Sequence, residues 1–276
     1  MGRFEGQVVI VTGGSDGIGL SVAQGFVEQG AIIVLVARGI DRLNKVAREL
    51  GKLGGTVLVV PMDVSDFGAC NELVDRVASQ FGAIHGLVNN AALHNRGEFV
   101  SHPPGELAQM VSVNLAAPVY LTRACLPFLE KTKGFVVNLA SLAGCVPTPG
   151  SAVYSATKFG LRAFSRALAE EVRPQGVRVS VVSPGPVNTA FIMNNLDEVT
   201  DLTLSQPVIA ADEVARAVLD CAWDGRLERK LPRQSALLTT LAYLAPTLAR
   251  RIRPLLEKKG RRKRLGLIAQ REASGD

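Results

Sequence analysis

Short apolar runs recur along the first 185 residues, separated by longer segments with helical spacing. The runs are Val8–Thr12, Ile32–Ala37, Val57–Val60, Ile84–Val88, Phe135–Leu139 and Val177–Val182. They are rich in β-branched residues and apolar throughout, as strands covered on both faces are. Between them, apolar positions step by four: Ile18, Val22 and Phe26; Val46 and Leu50; Leu73 and Val77. That step lays one apolar stripe along a helix. Alternating strands and amphipathic helices predict βαβ units and an α/β fold, a doubly wound parallel sheet with helices on both faces. A weaker seventh strand is expected near Glu228–Pro232, after a helix over about Asp212–Asp224.

After Pro232 the pattern changes. Residues Ser235–Ala249 are apolar with Pro246 inside, and Arg250–Arg264 holds nine Arg or Lys against one acid, Glu257. That run carries +8 of a formal net charge of +6, so the rest of the chain is slightly acidic at −2. We read 1–232 as one domain and 233–276 as an apolar, then basic, extension. Leu237–Ala249 is too short to span a bilayer, and Pro246 interrupts it. Two readings of 237–264 stay open: an interfacial segment on an anionic membrane, or a charged tail in water over a docked helix. Nucleic acid is not an expected partner, because Tyr243 is the one aromatic near the basic run.

Composition narrows the class. The 276 residues are 47% hydrophobic and 20% charged, enough for a sizeable core. Cys70, Cys125, Cys145 and Cys221 are scattered with no C-x-x-C pair, so they read as idle thiols in a reducing compartment, with no metal site. Strand-like residues begin by Gln7, which leaves no room for a signal peptide, and MGRFEG lacks the Ser or Thr of a myristoylation site. A cytoplasmic location is expected, with membrane association through the extension as the alternative.

Three features carry chemistry. QVVIVTGGSDGIG, residues 7–19, runs a strand into a glycine-rich turn and a helix start. Gly13 suits a tight turn, while Gly17 and Gly19 suit close backbone approach to a pyrophosphate at a helix N-terminus. Asp16 puts an acid in that turn, where it reads as the N-cap of the helix beginning near Gly17. Tyr154 and Lys158, in YSATK, share one helical face, and a lysine beside a phenol favours the phenolate and lowers its pKa. Ser141 ends the run FVVNLAS, at the carboxyl end of a strand, where α/β proteins bind ligands. A methyltransferase also uses a glycine turn after its first strand but has no use for the YSATK helix. A nucleotide-sensing scaffold without turnover is a second rival.

TGGSDGIG at 12–19, Asp63–Val64, NNAA at 89–92, Asn114 in SVNL, Ser141, YSATK at 154–158 and PGPVNT at 184–189 together resemble the short-chain dehydrogenase/reductase family. The resemblance covers about residues 5–225, with NNAA in place of the commoner NNAG. It implies a single Rossmann-type domain and an NAD(P)-dependent oxidoreductase acting on a small-molecule carbonyl or secondary alcohol. Tyr154 is then the acid–base catalyst, Lys158 the group that holds the nicotinamide ribose, and Ser141 the group that orients the substrate oxygen. Asn114 helps hold a water in a proton relay. The nucleotide contacts implied are Gly13, Ser15, Asp16, Gly17, Ile18 and Gly19 in the turn, and Asp63 and Val64 at the adenine. Asn90 and Ala91 lie at the adenosine side, and Pro184, Val187 and Thr189 at the nicotinamide end. Asn89 supports the sheet. No metal is required. Relatives form dimers or tetramers through helices that here fall at about 105–130 and 152–173.

The second strand ends in IIVLVAR, with Ala37 where an acid would bond the 2′-hydroxyl of NAD and Arg38 next to it. Arginine suits the 2′-phosphate, so NADP(H) is the expected cofactor over NAD(H), with Asp16 as the dissenting charge. The resemblance implies that 1–232 is the catalytic domain, with a substrate loop at 186–211, in which Phe191, Ile192, Met193 and Leu196 either line an apolar pocket or pack a helix on the core. A lipophilic substrate is expected on the first reading. His85, His94 and His102 have no ligand spacing, and only His94 falls near the expected substrate mouth.

Overall fold

A computed structural model describes residues 2–194 and 196–274, with side chains through Ile268. In chain order the elements are β1 (Val8–Thr12), α1 (Gly17–Glu28), β2 (Ile32–Ala37), α2 (Ile40–Lys52), β3 (Val57–Pro61), α3 (Phe67–Phe81) and β4 (Gly86–Asn89). There follow α4 (Pro104–Val111), α5 (Ala117–Thr132), β5 (Phe135–Leu139), α6 (Ala152–Glu171), β6 (Arg178–Pro184) and β7 (Val187–Asn188). The chain continues through α7 (Ala190–Met193), α8 (Asp201–Leu204), β8 (Ile209–Ala210), α9 (Ala211–Asp224), β9 (Glu228–Leu231), α10 (Arg233–Leu244) and α11 (Pro246–Ser274).

Seven parallel strands form one sheet in the order β3-β2-β1-β4-β5-β6-β9. This is the doubly wound sheet expected from the alternating pattern. Side chains alternate across it, so Val9 and Val11 join one core while Val8 and Ile10 join the other. The first core lies under α1, α2 and α9, the second under α3, α5 and the end of α6. Phe4, Phe26 and Phe135 fill the first core at ring separations of 4.8 to 5.9 Å. Each ring adds a large apolar area, and each close pair about 0.5–1.5 kcal/mol beyond it. The strand expected at Ile84–Val88 begins two residues later, at Gly86, and just before it the His85 ring Nδ1 accepts from Val8 N–H at 3.1 Å.

A buried polar chain crosses the second face. Asn89 Nδ2 donates to Asn138 Oδ1 at 2.8 Å, and Asn138 Nδ2 donates to Ser165 Oγ at 2.8 Å. It joins β4, β5 and α6. At the sheet edge, Glu228 of β9 accepts a two-pronged bond from Arg162 of α6, at 2.6 and 3.0 Å. Both links fix α6, the helix that carries Tyr154 and Lys158.

The extension is two helices. Pro246 stands at the first position of α11, where its missing N–H costs nothing. Ser235 and Thr239 of α10 are buried, and α10 packs on β9 and on the turn after β5. α11 lies across α8 at Gly260, where an added Cβ would sit 1.7 Å from the Asp201 carbonyl oxygen. Arg264 and Arg261 reach Asp201 at 3.0 and 3.4 Å, and Lys263 donates to the Gln206 carbonyl at 2.7 Å. Part of the basic run is therefore bound internally, and it roofs the segment after β7. That segment is mixed in character: Leu196, Val199 and Leu204 form a small core with Ile192, while Phe191 turns toward the cleft.

Candidate active site

The carboxyl ends of β1, β4, β5 and β6 open on a cleft of about 480 Å³. One end is the glycine turn after β1. Gly13 has φ +64° and Gly17 φ +52°, left-handed values that suit glycine. At Gly19 a Cβ would meet the Gly13 carbonyl oxygen at 2.1 Å, so its absence lets α1 close on the turn. Asn90 braces the turn by donating to the carbonyls of Thr12 and Gly13 at 3.0 and 3.1 Å. Asp16 stands at the N-cap position of α1, and its Oδ1 accepts from the adjacent Gly17 N–H at 2.6 Å.

Opposite stand Ser141, Tyr154 and Lys158, all on the cleft wall. Ser141 ends the β5 segment and caps the short turn that follows, its Oγ accepting from Ala143 N–H at 3.1 Å. Tyr154 and Lys158 lie on one face of α6. Lys158 is buried, and its Nζ donates to the Leu139 carbonyl at 2.7 Å. Burial depresses its pKa to about 8. Tyr154 departs from the expectation. Burial raises the phenol above its ordinary value, and the groups that pull it back are the Ser141 hydroxyl and the Arg96 charge, with Lys158 contributing no resolved lowering.

Asn114 is fully buried in a π-helical turn, Ser112–Ala116, between α4 and α5. Its amide grips one residue twice: Oδ1 accepts from Leu93 N–H at 2.7 Å, and Nδ2 donates to the Leu93 carbonyl at 2.8 Å. Nδ2 also reaches Thr157 Oγ1 at 3.3 Å. The side chain thus ties the loop after β4 to α6.

Of the other residues expected at a nucleotide, Ile18, Ala91, Pro184, Val187 and Thr189 line the cleft with Gly13, Asp16, Gly17 and Asn90. Ser15, Arg38, Asp63 and Val64 lie outside its lining, at the carboxyl ends of β1, β2 and β3. Burial raises the Asp63 carboxyl, but hydrogen bonds from Ser65 and the charge of Arg38 outweigh it and leave the pKa lowered. The wall fits a dinucleotide. The N-terminus of α1 begins at one end, the Tyr154–Lys158 pair stands at the other, and Arg38 and Arg42 are exposed cations at the end of β2 and in α2.

Three further residues stand on this wall: Arg42 and Arg96, which the sequence did not single out, and His94, expected near the substrate mouth. Arg42 lines the cleft and approaches Asp16 at 4.0 Å. The His94 ring stacks on Tyr154 at 3.8 Å, and its Nε2 meets Ser151 Oγ at 2.9 Å. Arg96 is buried beside Phe191, its guanidinium 5.0 Å from the ring centre. Arg42 is spaced one turn from Arg38 and was legible as a second cation; nothing in the sequence marks His94 and Arg96 as buried.

A family model described as short chain dehydrogenase matches residues 7–200. An uncharacterized oxidoreductase of Staphylococcus saprophyticus is 35% identical over 228 residues, 79% of this chain and 90% of its own. An 11-beta-hydroxysteroid dehydrogenase-like protein of Arabidopsis thaliana is 34% identical over 249 residues, 89% of this chain and 83% of its own. L-sorbose reductase from Gluconobacter frateurii, solved with NADPH and L-sorbose, superposes with a TM-score of 0.74 at 28% identity, covering 84% of this chain and 96% of that one. A metagenomic short-chain oxidoreductase solved with NADP gives a TM-score of 0.71 at 33% identity, covering 83% and 96%.

The stacked histidine has a pH consequence. Burial, with the nearby charges of Arg96 and Lys158, pushes the His94 pKa from 6.5 down to about 3. Below pH 6.5 the unfolded chain binds a proton here that the folded chain refuses, so stability falls as pH falls toward 3. At pH 5 this group alone removes about 2 kcal/mol. His94→Phe keeps a ring against Tyr154 and removes the titration. Urea unfolding between pH 7 and pH 5 should cost the wild type about 1–2 kcal/mol more than the variant. Parallel losses in the two proteins would contradict a ring held neutral.

Proposed function

The chain belongs to the short chain dehydrogenase family of oxidoreductases, and from that premise we propose that it interconverts a carbonyl and a secondary alcohol with NADP(H). The observation that supports this reading most is the shared cleft. Ser141, Tyr154 and Lys158 face a glycine turn across one cavity at the carboxyl edge of a parallel sheet. Bound NADP(H) supplies the two-electron redox chemistry at the substrate carbon. Ser141 Oγ orients the substrate oxygen. The Tyr154 hydroxyl gives that oxygen a proton in reduction, or takes it in oxidation. Lys158, protonated below its pKa of about 8, holds the ribose and keeps positive charge behind the phenol. Asn114 fixes the loop after β4 against α6 and supports the proton path. Reduction is the favoured direction with NADPH.

The nucleotide assignment rests on Arg38 and Arg42, on the absence of an acid at Ala37, and on two structural relatives solved with NADPH or NADP. Asp16 opposes it weakly, because its carboxylate accepts from Gly17 N–H and faces Arg42. The substrate has an apolar body, since Val146, Phe191 and Ile192 line the cleft. The extension adds a peripheral surface for an anionic membrane. Leu237, Leu238, Leu241, Leu244 and Leu248 are exposed beside Arg250 and Arg251. Among the described residues no helix is long and apolar enough to cross a membrane.

Three measurements test these readings. Tyr154→Phe should lower kcat/KM for ketone reduction by about a hundred- to ten-thousandfold, with the NADPH Kd changed less than about threefold; equal turnover would remove Tyr154 from the chemistry. Arg38→Asp should cut the preference for NADPH over NADH by about tenfold or more, and an unchanged ratio would refute the 2′-phosphate contact. The full chain should co-sediment with phosphatidylserine vesicles and lose most of that binding when Leu241 and Leu244 become Ser. Equal sedimentation of the two would end the membrane assignment.

A further inference from the structure

We propose that Arg96 is the recognition group for a carboxylate on the substrate, so that the enzyme acts on oxo- or hydroxy-acids with an apolar spacer between the reacting carbon and the acid. This rests on the oxidoreductase reading of the same cleft and adds the substrate class to it.

Arg96 is only 8% exposed, yet among the described residues no carboxylate lies within ion-pair distance of it. Elsewhere the chain pairs partly buried arginines with acids, as Arg162 meets Glu228 at 2.6 Å and Arg264 meets Asp201 at 3.0 Å, while Arg178 donates to the Ala222 carbonyl. A buried charge without a partner is costly, and arginine is rarely buried unpaired. The guanidinium has five donors, and among the described residues it forms one hydrogen bond, from Nη2 to the Phe191 carbonyl at 3.3 Å. Its flat face rests against the Phe191 ring at 5.0 Å. The remaining donors belong to a side chain on the cleft wall.

The charges around it set the class of ligand. Glu198 is exposed and acts on Arg96 only at a distance. His94, next along the wall, is neutral at physiological pH and adds no second cation. Lys158 donates to the Leu139 carbonyl on the Tyr154 side. One fixed, planar, single positive charge suits a planar monoanion, which a carboxylate satisfies through two parallel bonds. Phe191 lies against Arg96 and His94 lies against Tyr154 at 3.8 Å, the two rings 6.2 Å apart, and Val146 and Ile192 line the same wall. An acid held at Arg96 therefore has an apolar surface beside it, which suits an apolar spacer between the acid and the reacting carbon.

Calorimetric titration of the full chain with octanoate and octanamide, with and without NADPH, tests charge recognition apart from turnover. The wild type should bind octanoate at least tenfold more tightly than octanamide. Arg96→Leu should abolish that ratio, and Arg96→Lys should keep part of it. Unaltered melting of both variants shows that the pocket survives. Equal binding of the two probes by the wild type, an octanoate preference that persists in Arg96→Leu, or no binding of alkanoates from hexanoate to decanoate would each overturn the proposal. NADPH-dependent reduction of 7-oxooctanoate reads the other assignment independently. Octanoate preference without ketone turnover sinks the reaction and leaves the anion site; turnover of neutral ketones without octanoate preference does the reverse.

Discussion

The site exists because the strand order reverses between β1 and β4. From β1 the chain winds outward through β2 to β3, then returns to the other side of β1 and winds the opposite way. All strands are parallel, so every carboxyl end opens on one edge. The loops leaving β1 and β4 diverge at the reversal, and the gap between them is a crevice that no side chain has to carve. The glycine turn, the Asn90–Arg96 loop, the Ser141 turn and the Pro184–Thr189 segment all arrive there as consequences. The constraint is topological and its enforcement is apolar: strands buried on both faces cannot slip register without exposing a core.

Within that edge, the Asn114 amide sets the finer geometry. It satisfies both backbone groups of Leu93 from inside a π-helical turn, the kind of irregularity that concentrates at functional sites. Each bond adds about 1 kcal/mol net, and removing the amide would leave two partly buried backbone groups without their partner. The loop bearing His94 and Arg96 is thus pinned to the helix bearing Tyr154. Positioning of this kind is prepaid at folding rather than at binding.

The sequence made the sheet legible because both-face burial writes itself as unbroken β-branched runs, and the glycine turn legible because only glycine takes its φ values freely. Ser141, Tyr154 and Lys158 were legible because their spacing follows from one strand end and one helix face. What the sequence withheld was tertiary. His94 was legible only by its place near the expected substrate mouth, and Arg96 not at all, since nothing local says that a loop is buried. The extension read as an appendage because its docking rests on Gly260 meeting the Asp201 backbone, a contact between positions far apart in the chain. The acidity of Tyr154 was misjudged for the same reason. The helix face supplies Lys158, but the depth of burial that opposes it belongs to the whole fold.

That burial gives the Arg96 charge a role in the chemistry as well as in recognition. Arg96 and Ser141 are the two groups that pull the Tyr154 pKa down against desolvation. A carboxylate on Arg96 cancels one of them, so an acid in the cleft leaves the phenol more firmly protonated. Protonated is the state from which Tyr154 can give its proton to a carbonyl oxygen. The phenol is already held above its ordinary pKa with Arg96 charged, so an acid on Arg96 reinforces the protonated form and leaves the direction of turnover to the nucleotide and substrate concentrations.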